Sequence, residues 1–148
     1  MNPTIKRFGY PATAIADYAH WTVLLRPEQP TLGSLVLAAK SDATAFAALD
    51  PAAFAELGTV IWHIEAALMR AVTYERINYL MLMMVDPNVH FHVIPRYDGV
   101  REHDGIAVPD KGWPKTPALG DAVALTPVQI DALVRWLKGL WPDPVAAV

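Results

Sequence analysis

The sequence contains no cysteine. Thiol nucleophiles, Cys-based zinc sites and disulfide staples are thereby excluded, and the composition is compatible with a reducing compartment. Strong charge of either sign is also missing, since 12 Lys and Arg stand against 15 Asp and Glu for a formal net charge of -3. No global basic field offers nucleic acid a partner, so any recognition of phosphate has to be local. Long apolar runs are lacking too. The most apolar stretch, Ile77 to Val85, is far shorter than the roughly twenty residues of a membrane-crossing helix. Met1 to Tyr10 has no apolar run of signal-peptide length and is interrupted by Pro3 and Gly9. These features lead to the expectation of a soluble, cytoplasmic protein with neither membrane nor nucleic acid among its partners.

Apolar material is nevertheless ample. Hydrophobic residues make up 53% of the 148, enough for one domain over 1–148 with a real core and no need of a staple. The first regular element is predicted at His20 to Leu25, "HWTVLL", rich in β-formers. Pro27, Pro30 and Gly33 mark a loop, and Leu35 to Ala39 returns as a second strand in an antiparallel hairpin. Asp50-Pro51 opens a helix to about Val72, because Asp caps free amides and Pro suits the first turn. Phe54, Leu57, Ile61, Ile64 and Leu68 give it an apolar face, with Trp62 and His63 off the stripe and His63 read as a surface or packing residue.

Ile77 to Val85, "INYLMLMMV", is apolar on both faces and reads as a central strand covered on both sides. Asp86-Pro87 turns the chain into a further strand, Val89 to Pro95. A long loop is expected over about 98–125, and a connection of that length is uncommon unless it is functional or packs on a partner. Thr126 then caps a helix over about 127–141, with Ile130, Leu133, Leu137 and Leu140 on one face and Pro142 as its stop. The order β-β-α-β-β-loop-α predicts an α+β fold, an antiparallel sheet with a main helix and a C-terminal helix packed on it.

The chemistry concentrates in "NVHFHVIPRY", Asn88 to Tyr97. Alternation along a strand puts Asn88, His90, His92 and Ile94 on one side and Val89, Phe91 and Val93 on the other. Two residues rise about 6.6–6.8 Å along a strand, so both imidazoles can address one phosphate group. Neutral imidazole is a competent nucleophile near neutral pH and can split a difficult displacement into two easier steps. Other readings fit the same spacing: two surface histidines, a structural pair bonded to backbone, or a His-x-His metal pair. For the last, His20, His63 and His103 are scattered and Asp86 is a turn residue, so no third and fourth ligand stands out.

This motif resembles that of the histidine-triad superfamily, His-φ-His-φ-His-φ-φ on a strand, commonly followed by Pro-Arg. "NVHFHVIPR" fits the frame with Asn88 at the first histidine, His90 at the middle one and His92 at the last. The element order from Trp21 to Tyr97 is similar as well, including "LGSLVLAAKS" and a helix introduced by "LDP", so the resemblance spans about the first two-thirds of the chain. It implies a histidine-triad-like fold, a nucleotide substrate and a nucleotidyl-histidine intermediate on His90. His92 and Asn88 would hold phosphate oxygens and orient the nucleophile. Substrates of the family include dinucleoside polyphosphates, nucleoside phosphoramidates and nucleotide sugars. Its members are usually homodimers, and no cofactor or metal is required.

Two departures stand out. Asn88 cannot titrate as a histidine does. The Gly-rich polar loop that precedes the motif in many members is reduced to Val85-Asp86-Pro87. Phosphate contacts are then expected from Arg96, Lys111, Lys115 or main-chain amides, and ribose or base contacts from Arg26, Glu28 and Gln29. "DKGWPKTP", Asp110 to Pro117, resembles a tryptophan-proline element of some bacterial members. Trp113 would cover a base or seal the site, or else pack a Pro/Gly-stiffened loop against the domain or a dimer mate. Three functions therefore compete: a nucleotidyl hydrolase or transferase, a nucleotide-binding regulatory module with little or no catalysis, and a metal-dependent hydrolase using His90 and His92.

Overall fold

A computed structural model describes residues 1–142. The chain begins with a short helix, α1 (Pro3–Arg7), capped by the Asn2 side chain, which accepts from the Ile5 amide. Strands β1 (Ala14–Asp17), β2 (Trp21–Leu25), β3 (Glu28–Gln29) and β4 (Leu35–Ala39) follow. Helix α2 (Pro51–Val72) starts where Asp50 accepts from the Ala52 amide and ends at Thr73, whose φ of 47° is left-handed. Next come β5 (Arg76–Leu80), β6 (His90–Arg96), β7 (Val100–His103), β8 (Ile106–Pro109), β9 (Val123–Ala124) and α3 (Pro127–Leu140). Thr126 and Gln129 form a full capping box at the start of α3.

The main sheet has five strands in the order β1-β2-β4-β6-β5, every neighbouring pair antiparallel. The α+β expectation and the hairpin of β2 and β4 match this arrangement. One face of the sheet builds the main core with α2 and α3, where Val23, Leu37, Val93, Ile64, Leu68, Leu133 and Leu137 are all buried. Each such side chain contributes about 1.5–3 kcal/mol on leaving water. Trp21 anchors α2 to β2 by donating from Nε1 to the Ala53 carbonyl at 2.8 Å. The opposite face is covered by α1: Ile5, Leu24, Val36 and Ala38 form a second cluster, with Phe8 and Tyr10 packed on it.

Four expectations change. The buried stripe of α2 runs through Val60, His63, Ile64, Ala67 and Leu68, so His63 faces inward while Phe54 is 41% exposed. The helix would pass as a membrane span by length and composition, with 22 residues and an 18-residue window of mean hydropathy 1.2, but its Val60, Ile64, Leu68 and Val72 are part of the main core. The run Ile77 to Val85 is not a covered central strand. Strand β5 ends at Leu80 and lies at the sheet edge, because β6 inserts between it and β4. Leu82, Met84 and Val85 emerge onto the surface instead.

The region 98–125 is not one long loop either. It holds the β7–β8 hairpin, turned at Asp104 and Gly105 with φ of 52° and 77°, and the β3–β9 pair. Positive φ at both turn positions is what a two-residue hairpin of this hand requires, and Asp-Gly supplies it. The Tyr97 hydroxyl ties the hairpin to the domain, donating to the Val108 carbonyl and accepting from the Leu32 amide, both at 2.7 Å. In the adjoining β3–β4 connection, Gly33 has a φ of 90°, and a Cβ there would meet Leu68 Cδ2 at 3.2 Å. Only glycine combines that backbone with so close a helix.

Candidate active site

Strand β6 places His90 opposite Ala38 and His92 opposite Val36, on the face that α1 covers. The two imidazole centroids are 5.1 Å apart and nearly perpendicular, at 81°. His90 Nδ1 lies 2.7 Å from the Asn88 carbonyl oxygen. A carbonyl only accepts, so Nδ1 carries the proton and Nε2 of the neutral ring presents its lone pair. That Nε2 is buried and has no hydrogen-bond partner.

The second histidine has the opposite tautomer. Arg26 Nε donates to His92 Nδ1 at 3.3 Å, and a guanidinium cannot accept, so the neutral His92 proton sits on Nε2. Burial, the Arg26 charge and His90, in that order, push His92 down to about 4. With both rings neutral the pair offers one nitrogen lone pair, on His90 Nε2, and one N–H donor, on His92 Nε2, beside a fixed cation. Burial also lowers the Arg26 pKa, with Glu28 acting against it. The guanidinium stays charged, and it is oriented by a 2.7 Å bond from Nη1 to the Glu28 carbonyl.

A cleft of about 560 Å³ opens beside His92, lined by Arg7, Phe8, Arg26, Pro27, Glu28, Leu82, Met84, Val85, Asp86 and Leu119. Its lining sets charged side chains, Arg7, Arg26, Glu28 and Asp86, among apolar ones, a mixed composition that suits a small polar molecule. A larger groove, about 730 Å³, runs along β5 between Glu75, Arg76, Tyr79, Trp113 and Lys115 and touches neither histidine.

The other residues expected at the site scatter. The Asn88 amide is engaged elsewhere: Oδ1 accepts from the Thr4 hydroxyl at 2.9 Å and Nδ2 donates to the Asp42 carbonyl at 3.0 Å. Arg96 is buried in an ion pair with Asp110 at 2.7 Å and also donates to Asn78. Lys111 pairs with Asp121 at 2.8 Å, while Trp113 and Lys115 line the β5 groove. Gln29 is buried in the β3–β4 turn, its Oε1 accepting from the Gly33 amide and its Nε2 donating to the Ser34 carbonyl. The structure therefore brings together His90, His92, Arg26 and Glu28. Among the described residues no group of three or more His, Asp or Glu converges as a metal site.

Sequence reasoning missed α1 and, with it, Phe8, whose ring centroid is 5.7 Å from each imidazole. The signal was Asn2-Pro3, a cap followed by Pro in the first turn, with Ile5 and Phe8 three residues apart.

No protein-family model and no curated protein sequence matches the chain. Solved structures do, among them several histidine-triad proteins. One from Bradyrhizobium japonicum superposes with a TM-score of 0.72 at 20% identity, over 96% of this chain and 97% of its own. One from Sinorhizobium meliloti gives 0.73 at 20% identity, over 95% of both chains. The diadenosine triphosphate hydrolase of Plasmodium falciparum gives 0.61 at 9% identity, over 87% of this chain and 76% of the enzyme. The shared feature is the fold, the five-stranded antiparallel sheet with its helices.

Proposed function

We propose that this chain is a nucleotidyl hydrolase or transferase in which His90 Nε2 attacks a nucleotide phosphorus, for example that of a dinucleoside polyphosphate. The observation that carries the reading is the Asn88 carbonyl on His90 Nδ1, which fixes the tautomer and aims the lone pair away from the backbone. In the first step the Nε2–P bond forms, the P–O bond to the leaving phosphate breaks, and the leaving group departs as an anion. The positive charge gained by the ring is stabilised through Nδ1–H and the carbonyl. In the second step water, or another phosphate, attacks phosphorus, the P–N bond breaks, and a proton from water is released. His92 Nε2–H and Arg26 supply a donor and a cation for the charge that builds on the phosphoryl oxygens, where preorganised electrostatics does most of the work. Asn88 then acts by positioning, through its backbone carbonyl and its hold on α1.

The fold shared with a diadenosine triphosphate hydrolase supports the substrate class. The test is mass spectrometry of the protein after exposure to dinucleoside polyphosphates and nucleoside phosphoramidates. An acid-labile nucleotide adduct on the wild type and none on His90→Asn is the expected result. Equal turnover by the two proteins overturns the mechanism.

The burial of His90 Nε2 favours a second reading, a nucleotide-binding module with little chemistry. Micromolar-range binding by calorimetry without product after long incubation distinguishes it.

A second copy of the chain is the proposed partner. Strand β5 is bonded to β6 alone, leaving its outer edge free among the described residues. Tyr79 of β5 donates to Glu65 of α2 at 2.7 Å. Trp62, 62% exposed, and Met69, 43% exposed, lie three and four residues from Glu65 on the same helical stripe. An open strand edge flanked by exposed apolar residues suits pairing with a like edge. Sedimentation velocity is expected to give a dimer that Trp62→Arg weakens; a wild-type monomer at micromolar concentration rejects the assembly.

A further inference from the structure

We infer that Phe8 is a gate over the nucleophile: while its ring lies across the two imidazoles, His90 is closed to the cleft, and substrate reaches Nε2 only after the ring moves aside. This rests on the reading of His90 as the attacking group. His90 is wholly buried and its Nε2 unpaired, whereas His92 borders the cleft. Phe8 itself is half-buried and forms part of the cleft wall, so its ring separates the open space from the His90 ring on which it packs, tilted at 47°. A ring serving only as core would be sunk with its neighbours, as Ile5 is at 0% exposure.

The backbone of α1 is anchored at both ends, so the movement a gate needs is that of the Phe8 ring. The first residues of α1 are fixed: Asn2 Nδ2 donates to the Ala39 and Ser41 carbonyls, both at 2.9 Å, and Thr4 is bound to Asn88. Phe8 caps its last turn, where the Phe8 carbonyl accepts from the Thr13 hydroxyl at 2.8 Å and Arg7 Nε reaches across the cleft to Asp86 Oδ1 at 2.9 Å, so the Phe8 ring itself is held only by packing. Gly9 follows with a φ of 93° and breaks the helix directly after the gate residue. Leu82, Met84 and Leu119 line the same cleft and give a displaced ring an apolar surface to rest on. Asp86 adjoins those residues, so the pair latches the gate to the segment that receives it.

Carbethoxylation by diethyl pyrocarbonate tests this without any substrate, because it requires an accessible unprotonated imidazole nitrogen. Site-resolved mass spectrometry on the full chain would follow His90, with His63, buried on the other face of the sheet, as reference. The expected result is slow modification of His90 in the wild type and a rise of about tenfold or more in Phe8→Ala, with His63 unchanged. Phe8→Leu, which keeps an apolar side chain at the C-cap of α1, is expected to give a smaller rise in the same direction and serves where the alanine variant does not fold. Equal His90 rates in wild type and both variants overturn the gate. So does a parallel rise at His63, which would make Phe8 part of the general packing. A faster His90 in Phe8→Ala with no nucleotide adduct in either protein leaves the gate standing and removes the nucleotidyl-transfer reading.

Discussion

Arg26 Nε donates to His92 Nδ1 across 3.3 Å, and this contact decides which nitrogen of His92 faces a ligand. Because the guanidinium occupies Nδ1, the ring can offer only Nε2–H. Replacing Arg26 by alanine removes the bond, the charge and a cation beside the cleft. Turnover is expected to fall about 10²–10³-fold, the usual loss when a preorganised donor is removed from a charged transition state. Arg26→Lys keeps the charge but not the planar donor and should recover only part of it. The His92 titration gives a readout independent of catalysis. In Arg26→Ala its pKa should rise from about 4 yet stay below the ordinary histidine value, since burial is the larger cause. Imidazole chemical shifts against pH measure this directly, and an unchanged His92 titration would show that the contact does not exist in solution.

Stability should fall on mild acidification. Both His92 and His63 have folded-state pKa values below the ordinary 6.5. The unfolded chain therefore takes up protons first, and the stabilisation present above about 6.5 is lost as pH falls toward the folded values. For His63 the cause is burial, and its surroundings agree. Trp141 Nε1 donates to the Tyr18 hydroxyl at 2.8 Å, and that hydroxyl lies 2.8 Å from His63 Nδ1, while His63 Nε2 is buried without a partner. Protonating the ring would bury a charge whose Nε2–H has no acceptor. Each histidine contributes at most about 1.4 kcal/mol per pH unit over this window. Urea midpoints taken between pH 7 and 4.5 should decline, and His63→Gln should flatten the slope. A flat profile in the wild type contradicts both placements.

Asn88 is expected to matter for stability and for geometry at once. Its side chain accepts from the Thr4 hydroxyl and donates to the Asp42 carbonyl, holding α1 against β6. Asn88→Ala removes both side-chain bonds and leaves the buried Thr4 hydroxyl with only the Asn88 backbone amide as partner, at a cost of about 1 kcal/mol. It also removes one of the tethers of α1, the helix that leads into Phe8. Denaturant unfolding measures the first effect, and His90 carbethoxylation measures the second. A variant as stable as wild type would show the tether to be idle.

Much of this arrangement is legible along the chain, and what is not has identifiable causes. Asp50-Pro51 and Thr126-Pro127 announce α2 and α3 because caps act through immediate neighbours. Alternation alone brings His90 and His92 onto one face, since side-chain direction on a strand has a period of two. Helix α1 escapes because five residues are too few for a period to show. The apolar Leu82 and Met84 look like core from composition, yet they line a cleft, and a burial pattern cannot distinguish those settings. Phe8 and Asn88 are harder still. Thr4 and Asn88 are 84 positions apart, and only the assembled sheet discloses that the first helix lies over the motif.

Arg96 presents the sharpest choice between a ligand contact and a structural one. Its position directly after the histidine strand suggests a phosphate contact, but its guanidinium is buried with Asp110, at side-chain exposures of 4% and 1%. Asp110 in turn accepts from the Tyr97 and Gly112 amides, both at 3.2 Å, so the pair fixes the end of β6 and the start of the Trp113 segment. Removing one partner strands a buried charge, which costs about 3–5 kcal/mol. Arg96→Ala and Asp110→Ala should therefore each destabilise strongly. The double variant should be less unstable than the sum of the two, since residues in one network do not add. Chemical denaturation of the three variants gives the coupling. Nucleotide affinity, measured under conditions where Arg96→Ala remains folded, should change little. If stability is unaffected while nucleotide binding weakens tenfold, Arg96 holds phosphate and its link to Asp110 yields to ligand.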